Sequence, residues 1–90
     1  MQFDNSNSSM SGEMALHHVG PNIRRLRNLF DIKQEDLAKQ LGISRQTLHT
    51  YESGKTTVPE SCMETVGNIF NVEIILLLQP NIGNLIRKNG

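Results

Sequence analysis

Apolar positions along this chain form four short stripes at helical spacing followed by one continuous apolar run, with turn-forming residues between them. In Pro21–Phe30, Ile23, Leu26, Leu29 and Phe30 recur at i, i+3, i+6 and i+7, and Arg24, Arg25 and Asn28 face the other way. Gly20 and Pro21 offer a permissive residue and a proline at a first helical position, so the first helix is expected to begin there. Asp31-Ile32-Lys33 interrupts the stripe. A second run, Gln34–Leu41, turns Leu37, Ala38 and Leu41 inward, and Gly42 closes it where φ must become positive. Ser44 offers a hydroxyl N-cap for a third helix, Arg45–Glu52, in which Leu48 and Tyr51 point one way while Arg45, Gln46, His49 and Thr50 stay free. Ser53-Gly54-Lys55-Thr56 reads as a turn. Thr57-Val58-Pro59-Glu60 then reads as a capping box, Thr57 as cap and Glu60 reaching back, ahead of a fourth helix with the stripe Met63, Val66, Ile69 and Phe70. Asn71 ends it.

The run Val72–Leu78 is rich in Ile and Leu and bounded by Asn71 and Pro80, and its length alone does not separate a strand from a fifth helix. The reading favours a strand. Its alternation would put Val72, Ile74, Leu76 and Leu78 on one face, and a lone edge strand in a helical body needs a partner. The organisation expected is therefore a flexible, Asn/Ser-rich tail over 1–18, one domain over 19–79 and a second tail over 80–90. The fold class expected is all-α, a bundle of four to five helices.

Length and composition narrow the picture. Ninety residues make about one small domain, and with no Trp and few aromatics the core must be built from Leu, Ile, Val and Met. The single Cys62 has no partner for an internal disulfide, and no apolar run approaches the roughly 18–20 residues that span a bilayer. Met1–Gly12 has no apolar stretch of signal-peptide type, so the expected address is cytoplasmic. Adjacent His17 and His18 lack a second ligand cluster, no metal or cofactor is expected, and no nucleophile stands beside a base. No enzyme is expected.

The formal net charge of zero hides a local excess. From Arg24 to Lys55, Arg24, Arg25, Arg27, Lys33, Lys39, Arg45 and Lys55 oppose only Asp31, Glu35, Asp36 and Glu52, so this stretch carries the positive charge that a nucleic-acid surface needs. The second and third runs also meet the packing demands of two helices crossing at a steep angle over a tight turn. Leu37, small Ala38, Leu41, Gly42, Ile43, Leu48 and Tyr51 occur in the order that crossing requires.

Over roughly Val19 to Val72 the sequence resembles the phage repressor and Cro type of helix-turn-helix regulators, the xenobiotic-response-element family, with a λ-repressor-like bundle as its fold. The carriers are Ile23-Arg24-Arg25-Leu26-Arg27, Gln34-Glu35-Asp36-Leu37-Ala38, Leu41-Gly42-Ile43-Ser44, Arg45-Gln46-Thr47-Leu48, Tyr51-Glu52-Ser53-Gly54-Lys55 and Phe70-Asn71-Val72. The resemblance implies that the third helix enters the major groove of double-stranded DNA, with its first residues on base edges. Arg45 then faces a guanine, Gln46 an adenine, and Thr50 and His49 a thymine methyl or the backbone. Phosphate contacts fall to Gln34, Ser44, Thr47, Lys55 and Thr56, with Arg24 at the margin. It also implies a partly buried ion pair between Arg27 and Glu52.

The chain departs from the family pattern in three places. Lys33 stands where a Ser or Thr usually caps the second helix, Pro59 is shifted by one position, and the polar start of the usual fifth helix is replaced by Val72–Leu78. The third departure bears on assembly, because pairing of that run between two copies would make a two-fold dimer on a palindromic operator. The function expected is a transcriptional regulator acting as a repressor. The alternative is an antitoxin-like module that neutralises a protein partner, a toxin, and autoregulates its operon.

Overall fold

The computed structural model describes the backbone of residues 2–82 and the side chains of residues 16–82. Five helices follow one another: α1 Gln2–Leu29, α2 Gln34–Leu41, α3 Arg45–Glu52, α4 Glu60–Phe70 and α5 Ile74–Leu77. All-α architecture is as expected. No helix among the described residues is long and apolar enough to cross a membrane.

The bounds of α2 and α3 follow from their end chemistry. Gly42 adopts φ 73°, and the backbone N–H groups after α2 turn back onto the carbonyls of Ala38 and Lys39. Ser44 sits in extended conformation, and its hydroxyl accepts a 3.0 Å hydrogen bond from the Thr47 N–H. Lys33, with no acceptor on its side chain, makes no such bond for α2. Asn71 ends α4 in the left-handed region at φ 57°.

Three expectations are corrected. The first helix does not begin at Pro21 but runs through it, because the stripe continues upstream: Val19 is fully buried, and Gly20 lies against the backbone of α3. The flexible tail expected over 1–18 falls mostly on residues whose side chains lie outside the described ones, and the tail expected over 80–90 lies outside them from residue 83 onward. The capping box ahead of α4 does not form. Pro59 occupies the N-cap position with no side-chain bond, and α4 opens two residues later than a Thr57 cap would place it.

The third correction concerns Val72–Leu78, which forms α5 and its flanking turns; no strand occurs among the described residues. The reason is visible in the packing. Leu77 is fully buried while Ile75 is 59% exposed, a division that one helical turn makes and a regular alternation does not. A buried Asn22 reinforces it by donating to the carbonyls of Leu77 (2.8 Å) and Gln79 (2.6 Å) and accepting from the Ile82 N–H (3.0 Å). Backbone groups that a sheet would pair are thus paired by a side chain.

The core draws on every element. Val19, Ile23 and Leu26 of α1 meet Leu37 and Ala38 of α2, Leu48 of α3, Met63, Val66 and Phe70 of α4, Leu77 of α5, and Val58 and Ile82 from the connections. Helix α3 is held against α1 and α2 through Leu48, whose complete burial contributes on the order of 2 kcal/mol. That seating fixes which face of α3 remains outside.

Candidate nucleic-acid interface

Helix α3 buries Leu48 and Glu52 and half-buries Thr47, Thr50 and Tyr51, so Arg45, Gln46 and His49 are left exposed on the opposite side. Exposure of those three is a consequence of the helical period. Around them the polar groups are already organised. The Ser44 hydroxyl accepts from the Thr47 N–H and donates to Thr47 Oγ1 at 2.9 Å, which pins the first turn. Thr50 Oγ1 donates to the Gln46 carbonyl at 3.0 Å, so its hydroxyl is occupied by its own helix.

Beneath this face lies the ion pair of Arg27 and Glu52, present as expected. Arg27 Nε donates to Glu52 Oε2 at 2.8 Å and Arg27 Nη2 to Oε1 at 3.0 Å, with side-chain exposures of 13% and 3%. Arg27 Nη1 also donates to the Ile32 carbonyl at 3.0 Å, which ties down the turn between α1 and α2. A two-pronged pair in this setting is a structural fixture, since removal of one partner leaves a charge without its counter-ion. Glu52 takes one bond more: Gln34 Nε2 donates to Oε1 at 3.0 Å.

Apart from Thr50, the residues expected to meet DNA fall into three groups in space. Ser44, Arg45, Gln46 and Thr47 form the first turn of α3. Arg24, Gln34 and His49 border one depression of about 160 Å³ together with Arg27, Glu52 and Ser53. Lys55 and Thr56 border another, open one of about 390 Å³ with Leu16, His17, Gly20, Gly54 and Thr57. Lys55 and Thr56 are exposed, as is Arg24.

Two features hold the face in place in a way that was not read from the sequence, one not singled out there and the other taken for a helix entry. Asn22 is one; it sits on the stripe Val19-Asn22-Ile23-Leu26, and a polar residue at helical spacing among core positions was the available signal. Gly20 is the other. A Cβ on it would stand 1.8 Å from the Tyr51 carbonyl oxygen, so its absence lets α1 lie directly against the end of α3. Cys62 is half-buried on α4, and burial raises its thiol pKa, which suits a packing role. No group of three or more His, Cys, Asp or Glu side chains suited to a metal ion occurs among the described residues.

The helix-turn-helix family model (HTH_3) matches residues 23–76, from the middle of α1 into α5. The chain belongs to the helix-turn-helix family. Within it, α2 and α3 are the two helices of the motif, the architecture of a DNA-binding regulator of this type. The helix-turn-helix chain is 33% identical over 67 residues to an uncharacterised HTH-type transcriptional regulator of Sinorhizobium medicae, covering 74% of the chain and 48% of the relative. It is 35% identical over 57 residues to the antitoxin PezA of Streptococcus pneumoniae, covering 63% of the chain and 36% of the relative. With an uncharacterised HTH-type transcriptional regulator of Methanocaldococcus jannaschii the identity is 38% over 52 residues, 58% of the chain and 79% of the relative. The chain spans about half the length of the first of these. No solved structure gives a significant match.

Proposed function

We propose that this helix-turn-helix domain is a sequence-specific transcriptional repressor that binds a palindromic operator as a homodimer. The observation that carries the reading is the exposed first turn of α3, where Arg45 and Gln46 face solvent on a helix whose opposite face is locked into the core. An α-helix presented in this way fits the major groove, where Arg pairs with the O6 and N7 of guanine and Gln with adenine. Thr50, its hydroxyl turned to its own backbone, offers its methyl to a thymine, and His49 follows on the same face. Gln34, Ser44, Thr47, Lys55, Thr56 and Arg24 meet phosphates, from both depressions and from the cap of α3. Repression follows from occupancy of the operator, without catalysis.

The dimer uses the segment Val72–Leu78 through its helical form. Among the described residues Ile75 is the most exposed large apolar side chain, and half-buried Ile74, Leu76 and Leu78 are its neighbours along the chain, an apolar surface that a second copy would cover. Two copies related by a two-fold axis would set two α3 helices about one turn of DNA apart. Replacement of Ile75 by Asp is expected to leave the fold intact and shift sedimentation from dimer to monomer.

A second reading, an antitoxin that neutralises a toxin and autoregulates, draws on the similarity to the antitoxin of Streptococcus pneumoniae. One experiment separates the two. Fluorescence anisotropy with the chain's own upstream region, titrated with salt, should show tight, salt-sensitive binding at least ~10³-fold over random duplex. Binding without discrimination overturns the repressor reading, and co-purification of a protein encoded by the adjacent gene supports the antitoxin one.

A further inference from the structure

Helix α1 carries a basic face that runs upstream of the part of the chain the family model matches, which begins at residue 23. His17, Gly20, Arg24 and Arg27 recur at i, i+3, i+7 and i+10 and so share one side of the helix. Gly20 stands within that row, against the Tyr51 carbonyl at the end of α3. The two depressions divide the row between them. Arg24 and Arg27 border the smaller one with His49, whereas His17 borders the larger one together with the turn that follows α3. Among the described residues that line the larger depression, the ionisable side chains are His17 and Lys55, both exposed and both basic. Thr56 and Thr57 add hydroxyls, and no carboxylate is part of this lining. Such a surface suits an anion and offers nothing that repels one.

We propose that His17 and Lys55 grip one backbone phosphate of the operator from two sides, α1 and the turn after α3, and that Thr56 donates to the same phosphate. The proposal rests on the reading of Lys55 and Thr56 as phosphate contacts. Helix α1 upstream of the matched segment thereby joins the DNA interface, and affinity becomes sensitive to protons. An imidazole ring donates to a phosphate oxygen through an N–H in either protonation state, and as imidazolium it adds a full positive charge. Histidine changes charge between about pH 5 and about pH 8, so this contact strengthens as pH falls through that range. A phosphate seated beside the ring favours its charged form, and Lys55, from the other side of the lining, opposes it. Of the other charged groups on these elements, Glu52 is turned to Arg27, while Arg24 and, four residues upstream in the sequence, Glu13 belong to α1 itself.

The test uses the full chain and its variants His17→Gln, His17→Arg and Lys55→Ala, on a site selected from a randomised duplex pool. Each backbone phosphate of that site is replaced in turn by a neutral methylphosphonate. His17 is exposed, so the melting temperature should stay within a degree or two. His18 and His49 are the same in every protein compared, so the differences report position 17. In the unsubstituted chain, neutralising one phosphate per half-site should weaken binding about tenfold at about pH 5.5 and about threefold at about pH 8. His17→Gln should show roughly threefold at both pH values, and His17→Arg, permanently charged, roughly tenfold at both. Lys55→Ala should lose its penalty at the same phosphate. A penalty unchanged in His17→Gln, or lost at a different phosphate from the one that Lys55→Ala identifies, overturns the two-sided grip and leaves Lys55 as a phosphate contact alone. If no site is enriched, the repressor reading falls, and the salt dependence on random duplex decides the grip. His17→Gln should then show a slope shallower by about 0.9 at about pH 5.5, and equal slopes overturn it.

Discussion

Gly20 of α1 and Tyr51 of α3 meet backbone to backbone: a Cβ on Gly20 would lie 1.8 Å from the Tyr51 carbonyl oxygen and 2.8 Å from its carbon. Neither atom is the end of a flexible side chain, so an added methyl group forces α1 and α3 apart. Gly20→Ala should therefore cost more than the usual overpacking range of about 1–3 kcal/mol. Gly42 supplies the contrast, because nothing stands within 4 Å of its Cβ position and the strain comes from φ 73° alone. Gly42→Ala should destabilise by roughly 1 kcal/mol. Urea denaturation of both variants checks the order, and equal losses would refute the contact argument.

Asn22 makes a second kind of tie. Its carboxamide serves two carbonyls and one amide of residues 77–82 and accepts from Arg25 Nη1 at 2.8 Å, in a site with no solvent exposure. Asn22→Ala would leave several of those groups without a partner, at about 1–3 kcal/mol for each buried group left so. Asn22→Leu should fare no better, since apolar volume does not satisfy the carbonyls. Hydrogen exchange gives the direct readout: the Ile82 amide, bonded to Asn22 Oδ1, should exchange faster in Asn22→Ala than in the unsubstituted chain, by a larger factor than the Leu48 amide does.

These two residues mark the boundary between what the sequence makes legible and what it hides. The bounds of α2 and α3 could be read because their signals are local: apolar spacing, the Ser44 hydroxyl, the Gly42 turn. Arg27 and Glu52 were paired through a family resemblance, with no help from spacing. Gly20 looked like a helix entry because a Gly-Pro pair has that local meaning, whereas its actual constraint comes from a helix more than 20 residues downstream. The apolar run at Val72–Leu78 was ambiguous for the same reason. Its conformation is set by where Leu77 and Ile82 find the core and by what Asn22 can reach, neither of which is written in the run itself. At the candidate site, the exposed residues of α3 were foreseeable from its period, but the link from Glu52 through Gln34 to Arg45 required the three helices to be in place.

The Arg27–Glu52 pair gives a prediction in stability. Arg27→Met strands a carboxylate that is 4% exposed, and Glu52→Leu strands the guanidinium and leaves Gln34 without its acceptor. Each single change should cost about 3–5 kcal/mol, and the double variant much less than the sum, because an apolar pair carries no unpaired charge. A thermal or urea double-mutant cycle measures this. Additive losses would mean that the two groups act independently, against the geometry of two bonds at 2.8 and 3.0 Å.

Lys55 and Arg45 should divide their effects on DNA in opposite ways, which makes them the most direct pair for testing how the interface is laid out. Lys55 is exposed in the turn after α3 and borders the open depression beside Thr56, where a backbone phosphate would meet it as a point charge. Lys55→Ala should therefore weaken binding to every duplex by a similar factor and lower the slope of log K against log salt by about 0.9. Arg45 sits on the first turn of α3, with its Nη1 donating to Gln34 Oε1 at 3.4 Å. Arg45→Ala should cost about 1–3 kcal/mol on the selected site and far less on random duplex, so its effect appears in the ratio of the two affinities. Both changes lie on the surface and should leave the melting temperature within a degree or two. Anisotropy titrations at several salt concentrations, on the selected and a scrambled duplex, give both quantities at once, and a Lys55 variant that altered the ratio rather than the slope would show that the turn, too, reads bases.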